Sequence, residues 1–239
     1  MNTIYKPKGK ALEYCELALN LYRGCPHKCK YCFNIYTRDL PCFPRKNIIE
    51  ELEKYCLKNP GNGQEVLLCF TCDPFPVDLD QSLTYDALVI LRNAGYKTNC
   101  LTKNPECAII DASTGYMDKM GVTFTSIAYA KEWEPKAPSV DDRIRAILDE
   151  INIQFDFKIW VSLEPVLSMD VLEIVEQLSE RVSFWKIGKL NHVNGPEEID
   201  WRKFRTKIER LLPGGNFMFK KDTLPLTLPP HVEENNGLH

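Results

Sequence analysis

Short apolar runs alternate with helical patterns along most of the chain, and this alternation restricts the folds that the chain can adopt. Most of the runs are continuous and rich in β-branched residues, which is typical of strands that are buried on both faces of a parallel sheet. The six predicted strands cover residues 16–22, 65–71, 96–102, 122–129, 157–163 and 183–188.

A helical pattern follows each predicted strand. In the fourth helical segment Ile144, Ile147, Leu148 and Ile151 form one apolar stripe. The predicted helices cover residues 45–58, 81–93, 105–120, 140–151, 169–180 and 201–212. Six βα units in series favour a parallel sheet with right-handed crossovers. Because six units do not complete an eight-fold barrel, the predicted fold class is α/β, a partial (β/α)6 TIM-type barrel with outer helices.

Composition predicts one domain over residues 1–239, with a surface or flexible tail at 226–239 that is rich in Pro and Asn. The formal net charge is −3, which argues against a large, purely electrostatic nucleic-acid footprint. The N-terminal segment has no apolar run of signal-peptide length, and nowhere do 18 apolar residues run together. We therefore expect a cytoplasmic protein without membrane contact.

The cysteines point to metal chemistry. Ten are present, and three of them, Cys25, Cys29 and Cys32, lie in the segment RGCPHKCKYCFN directly after the first predicted strand. Three thiolates within eight residues can hold one face of an iron–sulfur cube, and an iron without a fourth cysteine stays open to another ligand. Two alternatives remain: a zinc site with His27 or a distant residue as the fourth ligand, and three buried cysteines without a metal.

The spacing C-x3-C-x-aromatic-C, with Tyr31 in the aromatic position, resembles the signature of the radical S-adenosylmethionine (SAM) superfamily. Four further segments resemble motifs of the spore photoproduct lyase-like group within it: N-L-Y-R-G-C at 20–25, T-C-D-P-F at 71–75, T-K at 102–103, and E-P-K-A-P-S at 134–139 with Arg143. The resemblance implies a [4Fe–4S] cluster that binds SAM and cleaves it reductively to a 5′-deoxyadenosyl radical, which abstracts hydrogen from a substrate.

The resemblance also assigns residues to SAM. Thr71, Cys72 and Asp73 are expected to face its methionyl end, with Asp73 accepting from the amino group. Lys103 and Ser126 resemble the family's polar contacts to the carboxylate and the ribose. Tyr31 and the backbone around Leu163 would line the adenine. Each assignment has a structural alternative: a turn at Asp73, a solvated Lys103 and a strand serine at Ser126. For Glu134 and Arg143 we favour a structural salt bridge over a catalytic role.

Two residues are candidates for catalysis. Cys72, at the end of a strand, is a candidate hydrogen-atom donor to a substrate radical, as a cysteine is in spore photoproduct lyase. Strand alternation would place Cys69 and Cys72 on opposite faces, which argues against a second metal site. Glu164 is the strongest substrate-binding candidate, and a structural pairing with Lys186 or Lys189 is its alternative. Lys220 and Lys221 are expected to be exposed lysines on a closing strand or contacts to an anionic substrate.

The sequence therefore predicts a radical SAM enzyme with a [4Fe–4S] cluster and SAM as cofactors. Its expected partners are a reductant such as flavodoxin or ferredoxin and a macromolecular substrate, which the gap of an open barrel would accommodate. One alternative is a nucleic-acid repair or modification lyase that resembles spore photoproduct lyase. The other is a metal-binding interaction module without catalysis.

Overall fold

An eight-stranded sheet forms the centre of the protein. The computed structural model describes residues 3–34, 40–112, 115–149 and 157–229. The sheet has the strand order β1-β2-β5-β6-β7-β8-β9-β10, and β3 and β4 form a separate hairpin. The strands are β1 (Ile4–Tyr5), β2 (Leu17–Leu19), β3 (Tyr22–Arg23), β4 (Phe43–Pro44), β5 (Glu65–Leu68), β6 (Lys97–Thr102), β7 (Lys119–Phe124), β8 (Lys158–Val166), β9 (Phe184–Lys189) and β10 (Phe217–Phe219).

The sheet confirms the predicted α/β class. Strands β2 and β5 to β10 are parallel, and β1 pairs antiparallel with β2 through Ile4 and Leu19. Within the described ranges β1 and β10 are the two edges, so the barrel is open. The six predicted strands lie next to one another in chain order. The structure adds β1 at one edge, and at the other edge the expected closing strand is β10, which ends at Phe219 and so does not include Lys220 and Lys221.

Seven helices flank the sheet in the part of the chain that the structure describes, and none of them is long and apolar enough to cross a membrane. Six correspond to predicted helices, and a short helix before residue 134 was not predicted. Ser139 caps the helix that follows it, since its Oγ accepts from the Asp142 backbone N–H at 3.1 Å. The helices are α1 (Ile48–Lys58), α2 (Ser82–Asn93), α3 (Pro105–Ala112), α4 (Ala130–Trp133), α5 (Val140–Asp149), α6 (Val171–Leu178) and α7 (Trp201–Leu211).

Three predicted boundaries are wrong between residues 105 and 129. The helix predicted at 105–120 ends at Ala112, and the strand predicted at 122–129 runs instead from Lys119 to Phe124. Asp118 accounts for the early start of the strand, because its Oδ2 accepts from the Thr98 backbone N–H at 2.8 Å directly before β7 pairs with β6. The predicted end of the fourth helix, Ile151, lies outside the described residues, as does most of the tail at 226–239.

Candidate functional site

A cavity of about 440 Å³ lies where the parallel strands end, which is the usual ligand-binding end of such sheets. Its wall is formed by the segment before β2, by the loop between β3 and β4, and by residues in or directly after β5 to β10. Nine of the residues singled out from the sequence line it: Cys25, Cys29, Cys32, Tyr31, Thr71, Cys72, Asp73, Lys103 and Glu164. The fold thus brings together cysteines and polar residues that are up to about 140 residues apart in the sequence.

The loop that carries the three cysteines is fixed by its backbone. The Lys30 N–H donates to the Trp133 carbonyl at 2.9 Å, and the Lys136 N–H donates to the His27 carbonyl at 3.3 Å. Gly24 begins the loop with φ +71°, and a Cβ there would lie 2.5 Å from the Pro41 carbonyl oxygen. Only glycine fits such a conformation and such a close approach. Backbone contacts therefore hold the loop on two sides, at Pro41 in the connection between β3 and β4 and at the segment that begins with α4.

The donor set at this loop fits an iron–sulfur cube better than a single ion. No three His, Cys, Asp or Glu side chains in the described part of the chain converge on one ion position. The zinc alternative with His27 is not assembled, because His27 Nδ1 faces Asp73 Oδ2 at 3.3 Å. A cube with its irons at separate corners takes thiolates that are spread over one cavity wall, as Cys25, Cys29 and Cys32 are.

Burial favours the protonated thiol at two of the three cysteines, Cys25 and Cys29. Burial raises the pKa of Cys29 to about 11, and burial followed by the Asp73 charge raises the pKa of Cys25. Because only thiolates bind iron, assembly of a cluster at this loop must release these protons. His27 Nε2 is buried and has no hydrogen-bond partner among the described residues, so it is available to a group in the cavity.

Glu134 connects the cysteine loop to the rest of the fold. It accepts hydrogen bonds from Tyr31 Oη and, at 2.6 Å, from Arg143 Nη2, and Lys103 Nζ lies 3.8 Å from its Oε1. Burial alone would raise the pKa of Glu134, but Arg143 and then Lys103 outweigh burial and keep that pKa below its ordinary value. The structural salt bridge predicted for Glu134 and Arg143 is confirmed. The same carboxylate also holds Tyr31 and Lys103 beside Cys29.

Asp73 forms the turn that the alternative interpretation predicted, with its oxygens bonded inside the protein. Its Oδ1 accepts from Thr102 Oγ1 at 2.6 Å and from the Phe75 N–H at 2.9 Å, and its Oδ2 accepts from the Lys103 N–H at 2.8 Å. Asp73 therefore ties the end of β5 to the end of β6. Thr71 lies beside it, and its N–H donates to Asn20 Oδ1 at 3.0 Å.

The prediction that Cys69 and Cys72 point to opposite faces is wrong. Strand β5 ends at Leu68, so strand alternation no longer applies to the segment that contains both residues. Their thiols are in hydrogen-bond contact, and both line the cavity. Burial, reinforced by Cys69, raises the pKa of Cys72 well above its ordinary value, so that Cys72 keeps its hydrogen on sulfur.

Glu164 lies at another wall of the cavity with partners that the sequence did not reveal. It accepts from Tyr14 Oη and from Lys220 Nζ at 2.9 Å, rather than pairing with Lys186 or Lys189. Lys220 is 2% exposed, so the expectation of an exposed lysine is wrong for this residue. Its Nζ also lies 3.9 Å from the centre of the Tyr14 ring. Tyr14 is missed from the sequence because it lies in no motif or periodic run.

One predicted SAM contact, Ser126, does not line the cavity. It follows β7 instead of lying in it, and its Oγ donates to Asp170 Oδ2 at 2.8 Å and accepts from the Tyr129 N–H at 3.1 Å. The Leu163 side chain is fully buried in β8, but its neighbours Ser162 and Glu164 line the cavity, so the adenine contact of the backbone around Leu163 stays a prediction. Alternation along the strand accounts for this arrangement.

Comparison with solved structures identifies the fold. A spore photoproduct lyase variant superposes with a TM-score of 0.67 at 15% identity, over 92% of this chain and 79% of that protein. A variant of the same enzyme with bound AdoMet (SAM) and dinucleoside spore photoproduct gives 0.62 at 16% identity, over 88% of this chain and 63% of the other. The structure of anSMEcpe with bound AdoMet gives a TM-score of 0.53 at 14% identity, over 82% of this chain and 57% of that protein.

This chain therefore spans less than two thirds of the length of two of these three proteins. No family profile and no curated protein matches its sequence. The agreement lies in the three-dimensional arrangement of the strands, and it extends over most of this chain. The chain has the fold of spore photoproduct lyase, whose group its sequence motifs resemble.

Proposed function

We propose that this protein is a radical SAM enzyme in which Cys25, Cys29 and Cys32 hold a [4Fe–4S] cluster. One observation carries the proposal: the three thiols of a C-x3-C-x-Y-C loop line a single cavity at the ends of parallel strands. When bound, the cluster with SAM on its open iron supplies one-electron cleavage of the sulfonium and a radical that abstracts hydrogen from substrate.

Three residues around the cysteine loop have separate proposed roles in binding SAM. Lys103 is held beside the cavity by Glu134 and carries the positive charge that a SAM carboxylate requires. Burial would lower the pKa of Lys103, but Cys29 and Glu134 raise it above its ordinary value, so its ammonium group persists. Tyr31 is fixed through its hydroxyl to Glu134, which leaves its ring as an apolar wall. Asp73 shapes the turn that carries Thr71 and Cys72.

The far wall, with Tyr14, Glu164 and Lys220, is the proposed substrate side. Its charges are paired with one another, so a substrate meets fixed dipoles rather than a free charge. Cys72 is positioned at the cavity with its hydrogen retained, which suits the proposed hydrogen-atom donor. A macromolecular substrate, including a nucleic acid as in a repair lyase, would enter through the open barrel.

Anaerobic reconstitution with iron and sulfide tests the proposal. We expect roughly four iron and four sulfide per chain, and 5′-deoxyadenosine from SAM when dithionite is added. Cys29→Ala should lose most of the iron and the product, whereas Cys56→Ala, which removes a buried cysteine on α1, should retain both. Colourless protein with one zinc per chain would contradict the proposal, and so would iron-loaded protein that never cleaves SAM.

A further inference from the structure

Four exposed lysines surround the outside of the cysteine loop. Lys28 and Lys30 belong to the loop itself, and Lys131 and Lys136 belong to the segment that packs on it. The two backbone hydrogen bonds from Lys30 to Trp133 and from Lys136 to His27 fix the two segments side by side. We call these four residues the lysine patch. All four are exposed, and none of them lines the cavity.

The charge of the lysine patch opposes that of the whole chain. Only one exposed carboxylate lies within its two segments, Glu132, which pairs with Lys30 at 2.6 Å. The other acid in the segments, Glu134, is buried against Arg143 and offers no charge to solvent. The patch is therefore positive on a protein with a formal net charge of −3. A local field of this kind attracts and orients a negatively charged partner.

The position of the patch indicates what such a partner does. Lys28 and Lys30 are the chain neighbours of Cys29, whose thiol lines the cavity. A protein seated on the patch would thus contact residues that flank Cys29, one of the proposed cluster ligands. Electron transfer requires such closeness, whereas a substrate must reach the interior of the cavity, which the patch lysines do not line. Phe33, 63% exposed directly after Cys32, does line the cavity and so belongs to the cavity rim, not to the patch.

We propose that the lysine patch docks an acidic electron-transfer protein, of the flavin or iron–sulfur class, that reduces the cluster. This inference rests on the proposed function. In each transfer the reduced donor loses one electron and the cluster gains it, with no proton or bond exchanged between the two proteins. A nucleic acid would also be attracted by lysines, but its site would have to extend into the cavity.

The test is the double variant K131E/K136E, which reverses two charges without touching the cysteine loop. Its matched control is K203E/K207E, two exposed lysines on α7. Formation of 5′-deoxyadenosine is measured with two reductants, an acidic flavodoxin and dithionite. We expect the rate of K131E/K136E with flavodoxin to fall about ten-fold, its rate with dithionite to stay unchanged, and the control to match the wild type with both.

A second measurement uses the unaltered protein. Flavodoxin binding to the wild type, followed by calorimetry, should weaken as salt rises from low to physiological ionic strength. Three results would overturn the inference: an unchanged flavodoxin rate in K131E/K136E, an equal loss of rate with both reductants, or binding that does not depend on salt. The inference would also be overturned if single-stranded DNA competes for the patch while flavodoxin-driven turnover stays intact. Failure of the wild type with dithionite would instead overturn the proposed function, so the two failures are distinguishable.

Discussion

Replacing Arg143 by Met should destabilise the protein by about 3–5 kcal/mol, because it leaves Glu134 as a buried carboxylate without its main partner. The Arg143 side chain is 1% exposed and Glu134 is fully buried. Arg143 also donates to the Thr123 carbonyl at 2.8 Å and to the Pro138 carbonyl at 2.8 and 2.9 Å, so the loss should lie toward the upper end of this range. Such a loss is a large part of a typical total of about 5–15 kcal/mol.

Urea unfolding of the metal-free protein, followed by circular dichroism, measures this effect. The matched control is Arg145→Met on the same helix, since Arg145 is 65% exposed and its pairing with Asp142 is worth less than about 1 kcal/mol. The midpoint should fall for Arg143→Met with an unchanged slope. A loss below about 1 kcal/mol, or one equal to that of Arg145→Met, would refute the reasoning that the buried pair fixes the loop.

Three further variants test other parts of the account. Gly24→Ala should lower iron incorporation, because its Cβ would meet the Pro41 carbonyl. Gly9→Ala is the control, since Gly9 also has a positive φ but lies in open space, and it should not lower iron incorporation. Equal iron contents would contradict the proposed contact between the loop and Pro41. Gly188→Ala should cost about 1–3 kcal/mol in urea unfolding, because its Cβ would lie 2.8 Å from Glu164 Cδ, and Gly214→Ala, with no atom nearby, is its control; equal stabilities would show that Glu164 is not held there. Burial and then Lys220 lower the pKa of Lys186 from 10.5 to about 8, so between these pH values the unfolded chain binds more protons and this group makes stability rise with pH. As the pH rises from 7 to 10, the free energy of unfolding of Lys186→Met should therefore fall relative to that of the wild type. A difference in free energy of unfolding that does not change with pH would contradict the pKa shift of Lys186.

The sequence predicted the sheet well because parallel strands are buried on both faces. Runs such as 66–68 and 159–161 are continuously apolar and buried, and no exposed face interrupts the signal there. The boundaries near residue 118 could not be predicted, since Tyr116, Met117 and Met120 have helix-like spacing. A polar contact from Asp118 to a neighbouring strand decides where the strand begins. Such long-range hydrogen bonds leave no local periodicity.

The candidate site divides in the same way. The cysteine loop and the residues at strand ends could be predicted, because motif spacing and the topology of parallel strands place them together. Tyr14 and Lys220 could not, since they meet Glu164 only through a contact that spans more than 50 residues on either side. Ser126 was assigned by resemblance alone, and the direction of a side chain after a strand end depends on local geometry that a motif does not contain.

The most direct measurement of the central claim is the electron–nuclear double resonance spectrum of the reduced, reconstituted protein after addition of SAM labelled with ¹⁷O in its carboxylate. If three cysteines hold the cluster and one iron is open, the spectrum should show hyperfine coupling between the cluster and ¹⁷O. A reduced cluster without such coupling, or a protein in which no paramagnetic cluster forms, would contradict the account.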